Sequence, residues 1–163
     1  MEPLRTSPEG LALIRTFEGC VLKAYKCPAG VWTIGYGHTR GVGPGQKITE
    51  QEAIRLLDED VRLIENRLNS KFPGQLEQRQ FDALVSFIFN LGWTNFSKST
   101  LCRRIENRAS DRLVCEQLLR WVFVGKRRMV GLMKRRVAEA NLWMGRQAYR
   151  VEIKNNVAGI VEV

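Results

Sequence analysis

Residues 18–39 read EGCVLKAYKCPAGVWTIGYGHT, and this stretch concentrates the reactive side chains of the chain. It contains the carboxylate of Glu18, the thiols of Cys20 and Cys27, the hydroxyl of Thr33 and the only histidine, His38. Five of its 22 residues are Gly or Pro, which favour turns. Elsewhere the apolar residues mostly recur at helical spacing. The sequence therefore predicts a turn-rich segment with reactive groups, carried by a helical scaffold.

A helix is predicted to lead into this segment. Ser7 is a suitable N-cap, Pro8 fits the first helical position, and apolar residues follow at helical spacing up to Phe17. Gly19 ends the pattern, so Glu18 is expected in the last turn of the helix. Position alone also allows an ordinary solvated glutamate, because most glutamates lie at the surface.

Residues 25–39 have the pattern of a small β-hairpin or of three short strands. A Cys-Pro-Ala-Gly turn signal precedes the β-branched and aromatic residues at 31–34. Farther along, Thr49 and Glu52 have the spacing of a capping box, which predicts the start of the next helix.

The rest of the chain is predicted to be mainly helical. The predicted helices cover residues 50–69, 80–90, 97–107, 111–123 and 132–143. The first is long and amphipathic, whereas the second is apolar on several faces and is therefore expected to be buried. Residues 151–163 are weakly patterned and are expected to lie irregularly on the surface.

These elements predict one α+β domain over residues 1–163 that is predominantly helical. A small lobe with an antiparallel sheet would cover about 18–50. The helix at 50–69 would join it to a helical lobe at about 74–146, with residues 1–17 packed on that lobe. A chain of 163 residues that is 44% hydrophobic can form one such core. A cleft between the two lobes would suit an elongated ligand.

The charge is strongly asymmetric along the chain. The net charge is +9, and residues 98–154 contain 15 Lys or Arg against 5 Asp or Glu, so the first part is nearly neutral. A basic half of this kind is expected to face a polyanion. Nucleic acid, an anionic membrane and an anionic cell-wall polymer all have the required charge.

The four cysteines do not have the spacing of a metal site. No Cys-x-x-Cys or His-x-x-x-His pattern occurs, so neither zinc nor another cofactor is expected. Free thiols are predicted, although Cys20 and Cys27 are close enough in sequence for a disulfide under oxidation. No run of 18 apolar residues and no secretory apolar region at 1–10 is found, so the sequence predicts a protein made and kept in a cytoplasm.

The reactive groups at 18–39 suit two kinds of chemistry. Glycoside hydrolysis needs one carboxylic acid to protonate the leaving oxygen, and a second group that attacks the sugar or positions water. Glu18 can be that acid, with Cys27 and Thr33 brought to the same point by the hairpin. Equally, Cys27 paired with His38 would suit acyl transfer.

The same residues resemble a known catalytic signature. The segments that carry the resemblance are Phe17-Glu18-Gly19, Ala24-Tyr25, residues 28–39, Gln80 to Phe87 with Asn90-Leu91-Gly92, Phe96, Ser99-Thr100-Leu101, Gly131-Leu132, Arg135-Arg136, Glu139 and Leu142-Trp143. Together they resemble the phage-type lysozymes, the endolysin muramidases of glycoside hydrolase family 24, over about residues 7–146. The resemblance implies a two-lobed lysozyme-like fold that acts without a cofactor on the alternating sugars of peptidoglycan.

The resemblance assigns the catalytic Glu to Glu18, the Thr to Thr33 and the position of the usual Asp to Cys27. It thus points to a subgroup with Cys in place of Asp. A thiol has a reference pKa of about 8.5 and is expected to be mostly neutral beside an acid in a cleft. Cys27 would then become a thiolate in the complex, or would orient water together with Thr33, while Glu18 acts as the general acid.

Four further residues receive expected roles from the resemblance. Cys20 matches a cysteine that, in some relatives, forms an inactivating disulfide with the catalytic cysteine, which makes it a candidate regulatory thiol; alternatively it is a small buried apolar residue. His38 is expected to pair with an acid of the connecting helix or the next loop. One guanidinium of Arg135 and Arg136 is expected to reach Glu18, with a solvated basic face as the alternative.

Three classes of function compete at this point: a muramidase, a nucleic-acid-binding helical domain, and a catalytically inactive relative that binds the wall or disturbs membranes through the basic segment 118–143. No recognition-helix motif is found, so no nucleic-acid partner is expected. The muramidase interpretation predicts a monomer that waits in the host cytoplasm until a holin releases it to the periplasm.

Overall fold

The computed structural model describes residues 2–163; Met1, part of the predicted segment 1–17, lies outside the described residues. The helices are α1 Pro8–Glu18, α2 Glu50–Lys71, α3 Gln78–Leu91, α4 Trp93–Ser97, α5 Thr100–Glu106, α6 Asp111–Leu118 and α7 Val130–Met144. Three antiparallel hairpins pair β1 Val21–Lys26 with β2 Trp32–Gly35, β3 Phe123–Val124 with β4 Arg127–Arg128, and β5 Tyr149–Lys154 with β6 Val157–Glu162. The predicted α+β fold with a helical majority is confirmed.

Helix α1 is fixed at both ends by its own sequence. The Ser7 hydroxyl accepts from the Gly10 amide and donates to Asp82 of α3 over 2.5 Å. At Gly10 a Cβ atom would lie 2.8 Å from Asp82 Cγ, so α1 and α3 approach closely at this glycine. The helix ends at Gly19, whose φ of 67° suits a residue without a side chain. Glu18 is therefore held at the end of an anchored helix, as predicted.

The capping box and the central helix also follow the sequence pattern. The Thr49 amide donates to Glu52 Oε2 over 2.7 Å, and the Glu52 amide donates back to the Thr49 hydroxyl, which starts α2. Helix α3 buries all eight residues from Phe81 to Ile88, which confirms the predicted central buried helix. This buried face packs against both α1 and α7.

The first hairpin forms the sheet of the small lobe. Tyr25 lies opposite Thr33 and Lys26 opposite Trp32, and the register shifts toward Val21. An isolated bridge from Lys23 to Lys47 ties the hairpin to the loop before α2. Of the two predicted arrangements, the structure thus has the hairpin, extended by one bridge rather than by a third full strand.

Two predictions for the second half of the chain are wrong. Helix α6 ends at Leu118 instead of reaching 123, and the β3–β4 hairpin follows it. Residues 151–163, predicted to be irregular, belong to the β5–β6 hairpin. Asn155 and Asn156 at its turn have φ of 50° and 61°, which is the backbone of a tight hairpin turn that Asn tolerates. The Asn-Asn pair and the alternation of apolar and polar residues before it, Tyr149 to Lys154, are the signals that the sequence prediction missed.

No helix within residues 2–163 is long and apolar enough to cross a membrane.

Candidate active site

Glu18 lies between the helical lobe and the small lobe. Its side chain is 21% exposed, and Oε1 accepts from Nη1 of Arg135 on α7 over 2.5 Å. The other oxygen, Oε2, faces the turn after β2, where a Cβ atom on Gly37 would lie 3.8 Å away. The carboxylate is thus held from one side by a guanidinium and borders the small lobe on the other.

The guanidinium of Arg135 is itself fixed by α3. Its Nη2 donates to the Ser86 carbonyl over 3.1 Å, and its Nε lies 3.4 Å from Glu139 Oε1. The Ser86 hydroxyl donates to the same Glu139 oxygen over 2.7 Å. Because Arg135 is only 4% exposed, its position is set by packed neighbours. The predicted contact between this arginine pair and Glu18 is therefore made by Arg135.

Arg136 does not contact Glu18, so the one guanidinium expected to reach it is that of Arg135. It is fully buried, donates to Asn90 over 2.9 Å and lies over the ring of Phe87. Its Nη2 also donates to Glu139 Oε1 over 3.0 Å, and its Nε lies 2.8 Å from Glu139 Oε2 without an aligned hydrogen bond. The two arginines share Glu139 as a counter-ion, and the alternative of a solvated basic face is wrong for this pair.

Burial acts against the charges of this network. Burial raises the pKa of Glu139, whereas the two guanidinium groups and the Ser86 hydroxyl lower it. Burial also lowers the pKa of Arg136, while Glu139 raises it. Sequence reasoning did not find Glu139 as a structural counter-ion, although its spacing of three and four residues from the arginines on one helix was a usable signal.

Cys27 lies at the turn of the β1–β2 hairpin, and Thr33 lies in β2 shortly after that turn. The Cys27 amide donates to the Val31 carbonyl over 2.9 Å, and the Thr33 hydroxyl donates to that same carbonyl over 3.0 Å. Thr33 is almost fully buried, while Cys27 is partly exposed. The hairpin therefore brings these two predicted residues together.

The Cys27 thiol lies among hydrogen-bonding groups of the turn that act on its pKa. Hydrogen bonding from the Val31 backbone is the largest influence and lowers the pKa of Cys27. Burial opposes it, and the Ala29 backbone lowers the pKa further. Amide groups that converge on one atom form an anion site. The turn thus lowers the pKa of the thiol, an effect that the sequence did not reveal because the directions of a turn's amide groups are not visible in its composition.

His38 pairs with the connecting helix, as predicted. Its Nδ1 lies 2.8 Å from Asp60 Oδ2 on α2, and its Nε2 lies 2.9 Å from the Arg40 carbonyl oxygen. Asp60 also accepts from the Arg40 guanidinium over 3.0 Å. Both ring nitrogens are occupied and the ring is buried, so His38 ties the loop after β2 to α2.

All four cysteines are free thiols in this structure. Cys20 is exposed, not buried, and it stands just before β1 while Cys27 stands just after it. A strand rises about 3.3 Å per residue, so the two Cα atoms are separated by roughly 20 Å, far beyond the reach of a disulfide. Burial raises the pKa of Cys102, and it raises that of Cys115 to about 12.

A cavity of about 340 Å³ begins beside Gly37 and lies between the two lobes. Its wall includes Arg40 from the loop after β2, and Asp60 and Arg67 on α2. Trp93, at the start of α4, also lines it, with the Arg67 guanidinium 5.7 Å from its ring centre. Sequence reasoning did not find Trp93. A larger cavity of about 820 Å³ lies between α1, α7 and β5, but neither Glu18 nor Cys27 lines it.

Comparison with known proteins places this arrangement in a family. The phage lysozyme family model matches residues 15–139. An endolysin of Acyrthosiphon pisum secondary endosymbiont phage 1 is 40% identical over 144 residues, covering 86% of this chain and 98% of that protein. The endolysin of Salmonella phage P22 is 35% identical over 138 residues, covering 82% of this chain and 94% of its own.

Solved structures agree with these sequences. The muramidase domain of SpmX from Asticaccaulis excentricus superposes with a TM-score of 0.80 at 35% identity, over 86% of this chain and 97% of that one. A mutant of P22 lysozyme gives a TM-score of 0.77 at 33% identity, over 86% of this chain and 99% of that one. From the family match and these relatives we conclude that the chain belongs to the phage lysozyme family.

Proposed function

We propose that this protein is an endolysin that hydrolyses the β-1,4 bond between N-acetylmuramic acid and N-acetylglucosamine in bacterial peptidoglycan, and thereby lyses the host cell. The observation that carries this proposal is the position of Glu18: Arg135 holds one carboxylate oxygen, and the other faces Gly37, which lines the cavity of about 340 Å³ between the lobes. Membership of the phage lysozyme family and the similarity to a muramidase domain support the same reaction.

In this proposal Glu18 is the general acid. It must deliver a proton to the leaving glycosidic oxygen, which requires a carboxyl group fixed near the bond. The Arg135 contact fixes one oxygen and leaves Oε2 on the side of the small lobe. Protonation of the leaving oxygen from Oε2 is therefore compatible with the arrangement.

Cys27 and Thr33 take the second role, on the other side of the sugar. The turn lowers the pKa of Cys27, and the thiolate that forms in the complex would supply a negative charge where the family usually has a carboxylate. The Thr33 hydroxyl has one proton, which is donated to the Val31 carbonyl, so its lone pairs can accept from a water molecule. We propose that the two groups together orient the attacking water, with Cys27 helping to stabilise positive charge on the sugar.

The alternative of acyl transfer by a Cys27–His38 pair is less compatible with the geometry. A histidine base needs one ring nitrogen directed at the thiol. Nδ1 of His38 faces Asp60 and Nε2 faces the Arg40 carbonyl, so neither nitrogen is available to Cys27.

Cys20 is proposed as a regulatory thiol that acts only after a rearrangement. A Cys20–Cys27 disulfide would require β1 to leave β2, because the folded strand holds the two thiols apart. Five of the six β1 residues are exposed, so this strand contributes little to the core and is suited to such a change. The bond would remove the Cys27 thiolate from the site and inactivate the enzyme.

The proposed setting follows from the endolysin role. The protein acts as a monomer without a metal or cofactor, waits in the host cytoplasm, and reaches peptidoglycan in the periplasm when a holin opens the inner membrane. Its basic second half would favour the anionic envelope.

Analysis of digested peptidoglycan tests the proposed bond specificity. Purified sacculi are incubated with the protein, and the products are reduced with borohydride and identified by mass spectrometry. The proposal predicts fragments that end in reduced N-acetylmuramic acid. Fragments that end in reduced N-acetylglucosamine, anhydro-sugars or newly freed amino groups would each show a different reaction and contradict it.

A further inference from the structure

The β3–β4 hairpin and the two residues after it expose large apolar side chains to solvent. All eight residues from Phe123 to Val130 are exposed. The four large apolar side chains among them are Phe123 at 53%, Val124 at 62%, Met129 at 40% and Val130 at 38% exposure. Four exposed large apolar side chains thus lie within eight residues, and such clusters mark interaction sites more often than single exposed residues do.

The same segment also contains positively charged side chains that are not paired with carboxylates of residues 2–163. Lys126, Arg127 and Arg128 are exposed, and none of them forms an ion pair with a carboxylate of residues 2–163. Between residues 117 and 138 the chain has seven Lys or Arg and no Asp or Glu. Any partner of this surface must therefore be anionic.

The strand register mixes apolar and cationic side chains at the tip. Phe123 is paired with Arg128, and Val124 with Arg127. Directly opposite residues project from the same face of a hairpin, so each face has one apolar side chain and one guanidinium. Such a hairpin has no single apolar side to cover with a helix. It is suited to lying at a boundary, with the apolar side chains on the apolar side and the long cationic side chains reaching to anionic groups.

We propose that residues 123–130, which comprise the β3–β4 hairpin and the two residues after it, bind the surface of an anionic lipid bilayer. Cations at lipid headgroup level and apolar side chains just below it are the combination that peripheral membrane segments use. A soluble polyanion would satisfy the cations alone and leave the four apolar side chains in water. This inference does not depend on the proposed hydrolysis, because lipid binding is measured without substrate.

Flotation with lipid vesicles tests this surface in the whole protein. Vesicles of zwitterionic lipid, with and without 30% phosphatidylglycerol, are compared at low and high salt. The parent protein is expected to float only with the anionic vesicles and to be released by salt. Failure of the parent to bind anionic vesicles at low salt would overturn the proposal.

Two double variants locate the contact. Replacing Phe123 and Val124 by Ser is expected to lower the partition coefficient at least about tenfold, from the apolar area no longer buried. Replacing Arg127 and Arg128 by Gln is expected to lower it by roughly thirtyfold, at about fivefold for each cation. The second variant leaves the apolar residues in place, so it keeps the test valid if the first folds poorly by circular dichroism.

The β5–β6 hairpin provides the matched control. Ile153 and Val157 are 65% and 67% exposed near its turn, but Glu152 there pairs with Arg150 and Lys154. Changing Ile153 and Val157 to Ser is expected to leave vesicle binding unchanged. An equal loss in this control would contradict a specific role for residues 123–130. So would variants of 123–130 that keep vesicle binding but lose binding to purified sacculi, since the hairpin would then hold substrate instead.

Discussion

Arg135 and Glu18 are 117 residues apart in sequence, yet their side chains meet at 2.5 Å. The contact joins the end of α1 to α7. It extends through Arg135 to the Ser86 carbonyl on α3. The position of the proposed acid is thus set by three helices of the larger lobe, while its free oxygen faces the small lobe.

Replacing Arg135 by Lys tests whether this contact positions the acid. Lys keeps the charge but lacks the planar fork that reaches Glu18 and Ser86 together. We expect kcat on purified peptidoglycan to fall by about 10- to 100-fold with a much smaller change in KM, because misplacement affects the reacting geometry more than substrate binding. An unchanged kcat would show that Arg135 does not position Glu18.

The buried counter-ion Glu139 is expected to matter for stability. Glu139→Gln leaves Arg135 and Arg136 close together without their shared negative charge, and removal of one partner from a buried ion network costs about 3–5 kcal/mol. A melting temperature lower by about 10 °C is expected for a chain of this size. The control is Glu59→Gln, which removes an exposed pair with Arg55 and should cost less than about 0.5 kcal/mol.

Cys27 should react with iodoacetamide at a lower pH than an ordinary thiol. The turn amides lower its pKa, so the thiolate fraction rises with pH through a midpoint below the usual value of about 8.5. Rates at each cysteine can be followed by mass spectrometry. Cys102 and Cys115 should stay unmodified until the protein unfolds, because burial raises the pKa of both and hides the sulfur atoms.

Substitution at Cys27 then asks whether its charge is used. Cys27→Asp restores a carboxylate and is expected to retain activity within about tenfold, whereas Cys27→Ala and the neutral Cys27→Ser should each lose about 100-fold or more. In the parent, activity should rise with pH as the Cys27 thiol ionises. Cys27→Asp should lack this rise, because aspartate is already ionised at lower pH. Parent-like turnover by Cys27→Ala would exclude a chemical role for the sulfur.

His38 is expected to act on stability and not on chemistry. His38→Gln loses at least one of the contacts to Asp60 and the Arg40 carbonyl, which should cost about 1–3 kcal/mol. Below the melting transition, kcat should stay within about threefold of the parent. A large loss of kcat in a variant of unchanged stability would show that the residue takes part in the reaction.

Local signals in the sequence were sufficient for much of the site. Ser7, Pro8 and Gly19 set the ends of α1 and hence the place of Glu18, and the capping box at Thr49 set the start of α2. These features depend on neighbours within four residues, so composition and spacing reveal them.

Features that depend on how a helix is rotated or how backbone amides are oriented could not be predicted from spacing. Which of two adjacent arginines meets Glu18 depends on how α7 is rotated against α3, and that rotation is decided by packing around Phe87 and Glu139. The amide groups around Cys27 depend on the backbone angles of one turn.

Glu18→Gln is the most direct test of the central claim that Glu18 is the general acid. The amide keeps the size of the side chain, and Arg135 retains Glu139 and the Ser86 carbonyl, so the variant should fold. The measurement is the rate of release of new reducing ends from purified peptidoglycan, with folding checked by circular dichroism. The account predicts a loss of at least about 1,000-fold for a group that cannot donate the proton. Release of reducing ends at the parent rate by the folded variant would contradict it.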